Sequence, residues 1–155
     1  MRTLRLTLDT REPDPHPWEP FLPSGWTMTR AGMETGDLCV TALPDGAIVE
    51  RKTPADLAGC IGSGRERFER ELRRGRYCGR LVVVIEGSLS DVCTAARAMN
   101  HNAVVGSIAA WTLRYCPFVF TGSPRAAADF AFRFLASQVR DIQRAAETLK
   151  APPDQ

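Results

Sequence analysis

No stretch of this sequence approaches the roughly 20 consecutive apolar residues that a membrane-spanning helix requires. Its first ten residues, MRTLRLTLDT, interleave Arg and Asp where a secretory signal needs an unbroken apolar core. A cytoplasmic protein is the expectation. Histidine is scarce: His16 and His101 lie far apart, with no Cys or carboxylate spacing around them that suits zinc. The five cysteines are odd in number, scattered and never spaced C-x-x-C, which argues against a disulfide framework and reads as reduced core thiols. Internal repeats, linkers and low-complexity tracts are lacking as well. At 155 residues one domain is expected, over residues 1–150, with 151–155 a flexible tail.

What is present is charge, unevenly placed. Residues 1–50 hold four Arg against eight acidic residues, a balance of −4, whereas residues 51–80 hold nine Lys or Arg against four acids, a balance of +5. Such segregation lets one region hold a polyanion while the other supplies carboxylates. Uneven surface charge without function is the plain alternative.

Period-two alternation of Leu4, Leu6 and Leu8 predicts a half-buried strand that delivers Asp9 at its end. Five prolines between positions 13 and 23 exclude regular helix through most of the next stretch and predict a loop placing Trp18 and Phe21 on the core. GWTMTRAG, GDLCVTA and GAIVERK read as further strands, the last two joined through PDG, in an antiparallel meander. TPADLAGCIG opens a helix with Thr53 as N-cap, Pro54 in the first turn and Asp56 as the acid of a capping box. An Arg-rich helix follows from Arg65, then the continuous apolar run RLVVVI of a strand covered on both faces, helices near 89–99 and 103–115, a short strand PFVFTG, and a helix from about Pro124 to Lys150. In that last helix Ala128, Ala131, Leu135, Val139, Ile142, Ala146 and Leu149 form a stripe read as core. The class expected is α/β, a mixed β-sheet flanked by helices on both faces.

The chemistry concentrates in GDLCV and IVERKTPAD. Alternation puts Glu50 and Lys52 on one face of a strand and Arg51 on the other. A four-residue loop over Leu43–Gly46 would set Cys39 opposite Glu50 and leave Asp37 on the Glu50 face, about 7 Å away on the diagonal. Two carboxylates so placed can share one hard cation, Mg²⁺ or Mn²⁺, and a neighbouring lysine can orient water or neutralise developing charge on a phosphodiester.

These residues, GD at 36–37 followed by VERKTPAD, resemble the GD…ERKxxxD signature of the XPF/Hef-type structure-specific DNA endonucleases, a branch of the restriction-endonuclease-like PD-(D/E)xK fold. DTRE at 9–12 resembles the family's DxRE element, and IGSGR through RLVVVIEG resembles the helix and strand that follow its core. The resemblance implies Asp37 and Glu50 as metal ligands, Lys52 as catalytic lysine, and Asp9, Arg11, Glu12, Arg51 and Asp56 as supporting catalytic positions. Each supporting residue also has a structural reading: Asp9 as a strand end, Glu12 as a loop charge, Arg51 paired to a carboxylate such as Asp56, and Asp56 as a helix cap. The sequence departs from the family at Glu69, where a Gln is usual, and in the Pro-rich segment after Glu12.

From the Arg-rich helix, Arg65, Arg67, Arg73 and Arg74 are the candidate contacts to DNA phosphates. GSGR at 62–65 lacks the GK[ST] of a phosphate loop and reads as a helix junction; NHN at 100–102 reads as a loop between helices. The expectation is a Mg²⁺- or Mn²⁺-dependent endonuclease domain acting on branched or structured DNA, nucleoid-associated in a prokaryote or phage. Without a tandem helix-hairpin-helix domain it would grip DNA as a homodimer or with a separate DNA-binding subunit. The alternatives are a non-catalytic DNA-binding or scaffolding module of the same fold and a restriction or recombination nuclease acting on plain duplex.

Overall fold

The computed structural model describes residues 3–150; the proposed tail at 151–155 lies outside them. Six strands, β1 (Arg5–Asp9), β2 (Thr27–Ala31), β3 (Leu38–Val40), β4 (Ala47–Lys52), β5 (Arg80–Ile85) and β6 (Phe118–Phe120), form one sheet in the order β2-β1-β3-β4-β5-β6. Five helices accompany them: α1 (Pro54–Ile61), α2 (Arg65–Tyr77), α3 (Leu89–Ala95), α4 (His101–Arg114) and α5 (Pro124–Lys150).

The first four strands are not a meander. β2 pairs with β1 in parallel at the sheet edge, and β3 occupies β1's other side, antiparallel to both β1 and β4. A parallel pair needs a crossover of a dozen or more residues, and residues 10–26 supply it. The prolines that forbid helix there leave a single 3₁₀ turn at Glu19–Phe21. Trp18 and Trp26, both buried, pin this crossover against Phe132 of α5 with ring centroids 6.3 and 6.0 Å away.

Strand alternation sorts the core into two layers. Cys39, Ile48, Leu81, Val83 and Ile85 face α1 to α4, where Phe68, Leu72 and Trp111 pack. Leu8, Leu38, Val49, Val82 and Val84 face α5 and the crossover. β5 is buried on both faces from Leu81 to Ile85, as its unbroken apolar run predicts.

α1 begins as its sequence directs. Thr53 Oγ1 accepts the Asp56 N–H at 3.1 Å, Asp56 Oδ2 accepts the Thr53 N–H at 3.3 Å, and Pro54 fills the first turn. GSGR is the α1–α2 junction, whereas NHN starts α4, with Asn100 Oδ1 accepting the Asn102 N–H at 2.8 Å. The α5 stripe is core only in its first half: Ala128, Ala131 and Leu135 are buried, but Ile142 and Leu149 are exposed. Among the described residues no helix is long and apolar enough to cross a membrane.

Candidate active site

The β3–β4 hairpin differs in register from the expectation. Leu38 faces Val49 and Cys39 faces Ile48, so the connection is the six residues Thr41–Gly46 and Cys39 does not oppose Glu50. The offset from the expected register is two residues, and because side chains alternate with period two, each stays on its face. Asp37, two residues before Cys39, therefore lines the same cleft as Glu50 and Lys52. Local bonds fix it there. Asp37 lies just outside the regular ladder, its N–H donating to Val49 O and its C=O accepting from Asp9 N–H, each at 2.8 Å. One residue thus bonds to both flanking strands, which holds its side chain over the cleft, and the chain turns into it at Gly36. Gly36, at φ +71°, permits that turn; a Cβ there would lie 2.2 Å from Ile48 Cγ2. Asp37 Oδ2 then accepts the Arg51 N–H at 2.7 Å.

Glu50 is buried at 7% exposure, with Lys52 Nζ donating to its Oε1 at 2.5 Å. Lys52 Nζ also lies 5.2 Å from the Phe68 ring centroid, a cation–π contact that fixes its aim. These three side chains line a cleft of about 240 Å³, with Arg11, Arg67 and Arg74 on its walls. Burial raises the Asp37 pKa well above the ordinary carboxylate value, and the neighbouring Glu50 and Glu12 raise it further. Glu50 is raised too, by burial, against the pull of Lys52. Burial works against charge on Lys52, but Glu50 and Asp37 outweigh it and its pKa goes up, so it is a fixed cation.

The supporting residues divide between the two sides of the sheet. Burial opposes charge on Asp9, yet its hydrogen bonds to Arg11 Nε at 2.7 Å and to the Arg11 and Met33 N–H groups hold it ionised with a lowered pKa. Asp9 thereby braces Arg11, whose largely exposed guanidinium stands at the cleft mouth. Arg51 and Glu12 lie behind β4. Arg51 pairs with Glu86 and, at 3.3 Å, with Glu12, not with Asp56, which is an exposed cap. Glu12 in turn meets His16 Nε2 at 3.0 Å, while His16 Nδ1 accepts the Trp18 N–H at 3.2 Å.

Glu86 went unrecognised in the sequence. Its signal was there, a charge ending an apolar strand just as Glu50 ends the apolar part of β4. Glu71, on the cleft wall, was hidden among the ion pairs of α2. Of the candidate phosphate contacts, Arg67 and Arg74 reach the cleft. Arg65 is turned to α4 instead, 2.8 Å from Ser107 Oγ and 5.1 Å from the Trp111 ring centroid, and Arg73 lines a separate cleft.

Among the described residues no group of three or more His, Cys, Asp or Glu side chains converges as a metal cage. Two hard carboxylates still suit Mg²⁺ or Mn²⁺, which are commonly held by one or two carboxylates, several waters and substrate phosphate. Asp37 and Glu50 also sit where their mutual repulsion favours a cation between them.

A mixed sheet between helical layers, with acidic and lysine side chains gathered at one end of its central hairpin, defines a restriction-endonuclease-like α/β domain. The ERCC4 domain family model matches residues 8–134, and the chain belongs to that family. Its fold is that of the XPF nuclease domain. XPF from Aeropyrum pernix is 22% identical with a TM-score of 0.68 over 86% of this chain and 60% of its own. The same protein in complex with DNA is 21% identical with a TM-score of 0.69, over 89% of this chain and 66% of its own. The chain therefore spans about two thirds or less of the structures it matches. No curated protein sequence matches it.

Proposed function

We propose that this domain is a divalent-cation-dependent DNA endonuclease, acting on branched or otherwise structured DNA. The observation that carries the reading is the convergence of Asp37, Glu50 and Lys52 in one cleft walled by arginines. A structure of Aeropyrum pernix XPF in complex with DNA supports nucleic acid as the ligand class.

Asp37 and Glu50 would hold Mg²⁺ or Mn²⁺. When bound there, such an ion supplies Lewis acidity toward a phosphoryl oxygen and lowers the pKa of a coordinated water. Lys52, kept protonated by its carboxylate neighbours, is no general base. It donates a hydrogen bond to the attacking water or to the phosphoryl oxygen and offsets the charge that develops in the transition state. Arg11, Arg67 and Arg74 take the flanking phosphates. Asp9 and the Arg51 network position these groups without touching substrate. A second copy or a separate DNA-binding subunit would extend the grip on a branch.

The test is cleavage of labelled flap, fork, bubble and linear duplex DNA with Mg²⁺, Mn²⁺ or EDTA. Cutting of branched substrates only with a cation, abolished in Asp37→Ala and Lys52→Ala, is expected. Full activity in Asp37→Ala would sink the assignment. Binding without cleavage of any substrate would favour a scaffolding role, and equal cleavage of linear duplex a restriction-type one.

A further inference from the structure

Beside the candidate active site lies a second basic cleft that the reaction does not use. It has a volume of about 290 Å³ and is lined by Arg73, Arg76 and Tyr77 at the end of α2 and by Arg114 and Tyr115 at the end of α4. Three arginines line it, and among the described residues their one ion pair is Arg73 with Glu69 at 3.9 Å. Among the described residues neither Arg76 nor Arg114 enters an ion pair. Arginines gathered this way form a positive patch that favours an anion from outside the chain. Tyr77 is 89% exposed. An aromatic ring held in water among unpaired guanidinium groups gains nothing for the fold, but it is what a stacking platform requires.

The two clefts share one helix. Arg67 and Arg74 of α2 line the first, and Arg73, Arg76 and Tyr77 line the second. At 1.5 Å per residue, Arg67 and Arg76 are about 14 Å apart along the helix axis. Arg67 and Arg76 are on opposite sides of the helix at about 100° per residue, but Tyr77 is only about 60° round from Arg74, so a strand passes from the first cleft to the second by crossing the last turn of α2 between them.

We propose that the α2–α4 cleft binds an unpaired DNA strand emerging from the active site, with Tyr77 stacking on a base and Arg73, Arg76 and Arg114 holding its phosphates. This rests on the nuclease reading above and deepens it, giving the domain a specific means of recognising a branch. Unpaired DNA is favoured over duplex because a base still in its pair keeps its face stacked on its neighbours and cannot cover Tyr77. An acidic protein segment would engage the arginines but has no need of the ring.

The experiment is fluorescence anisotropy of the full chain in EDTA with labelled oligo(dT), a short duplex and poly-glutamate. Tyr77→Ala is expected to weaken oligo(dT) binding on the order of tenfold with duplex affinity unchanged, and Tyr77→Phe to restore it. Replacing Arg76 and Arg114 together by Ala should weaken oligo(dT) and lower the slope of log affinity on log salt by about 1.4. The proposal is overturned by oligo(dT) affinity that ignores Tyr77→Ala, or by poly-glutamate binding as tight as oligo(dT). Cleavage is scored separately: a chain that binds oligo(dT) through Tyr77 but cuts nothing upholds this cleft and overturns the nuclease reading.

Discussion

Arg51 and Glu86 form a two-pronged pair behind β4, Nε to Oε1 at 2.8 Å and Nη2 to Oε2 at 3.0 Å. Their side chains are only 10% and 5% exposed. Trp18 Nε1 adds a bond to Glu86 Oε1 at 2.6 Å, and Glu12 approaches Arg51 from the other side. The charge that interrupts the apolar run of β4 is therefore answered by the charge that ends β5. Because the Arg51 N–H holds the Asp37 carboxylate, the pair on one face of β4 steadies an acidic side chain of the cleft on the other.

Removing one member of such a pair leaves the other buried and uncompensated, at a cost of about 3–5 kcal/mol. Glu86→Leu and Arg51→Met are each expected to lower the melting temperature by on the order of 10 °C. The double variant, with an apolar pair of similar volume, should recover most of that loss. Thermal melts of the three chains decide it, and a double variant no better than the singles would show that the pair is not the source of the effect.

Asp37 pulls stability the other way. Its raised pKa means that the ionised side chain is unfavourable in the fold, so its contribution is fullest below the ordinary value of 3.8 and is lost as pH rises through the elevated one. Asp37→Asn keeps an acceptor for the Arg51 N–H and removes the repulsion from Glu50. Without divalent cation at neutral pH the variant is expected to melt about 2–4 °C above wild type. That gap should close as the pH falls. Adding Mn²⁺ should raise the wild-type midpoint and leave Asp37→Asn unmoved. A variant that melts below wild type at every pH would contradict this reading.

How far the sequence disclosed the site depended on the range of the interaction. Glu50 and Lys52 were legible because strand alternation is local, and Thr53 to Asp56 because a capping box is complete within four residues. The XPF-type fold was legible from the ordered GD…ERKxxxD set. The partner of Arg51 was not, since Glu86 is joined to it only by the β4–β5 pairing. The sheet order failed in the same way: a Pro-rich loop announces that no helix forms but not where it leads, and β2 went to the edge in parallel. The hairpin connection is two residues longer than expected, and because a shift of two keeps a side chain on its face, Asp37 still came to the Glu50 side, so the right cleft was inferred from a hairpin of the wrong length.

Lys52 offers a kinetic prediction. With Glu50 and Asp37 holding its proton, it stays charged throughout the range in which the reaction can be measured. The pH–rate profile should rise as the carboxylates ionise and show no alkaline rise from a lysine turning into a base. Lys52→Met should lower kcat on the order of 10²- to 10³-fold while DNA affinity in EDTA changes little. A rate that climbs through the ordinary lysine range in wild type and loses that climb in Lys52→Met would make the residue a base after all.

Gly36 ties the backbone to the chemistry. At φ +71° an L side chain is strained, and a Cβ would press on Ile48 Cγ2 at 2.2 Å and Val49 O at 3.2 Å, on the strand that carries Glu50. Relief requires moving either the Asp37 turn or β4, and both displace one carboxylate from the other. Gly36→Ala is therefore expected to cost about 1–3 kcal/mol of stability and to reduce cation-dependent cleavage more than that loss explains. The comparison with Gly32→Ala controls for the effect of removing a glycine, because a Cβ at Gly32 meets nothing within 4 Å. Equal behaviour of the two variants in thermal melts and in cleavage assays would show that the left-handed turn before Asp37 does not set the geometry of the site.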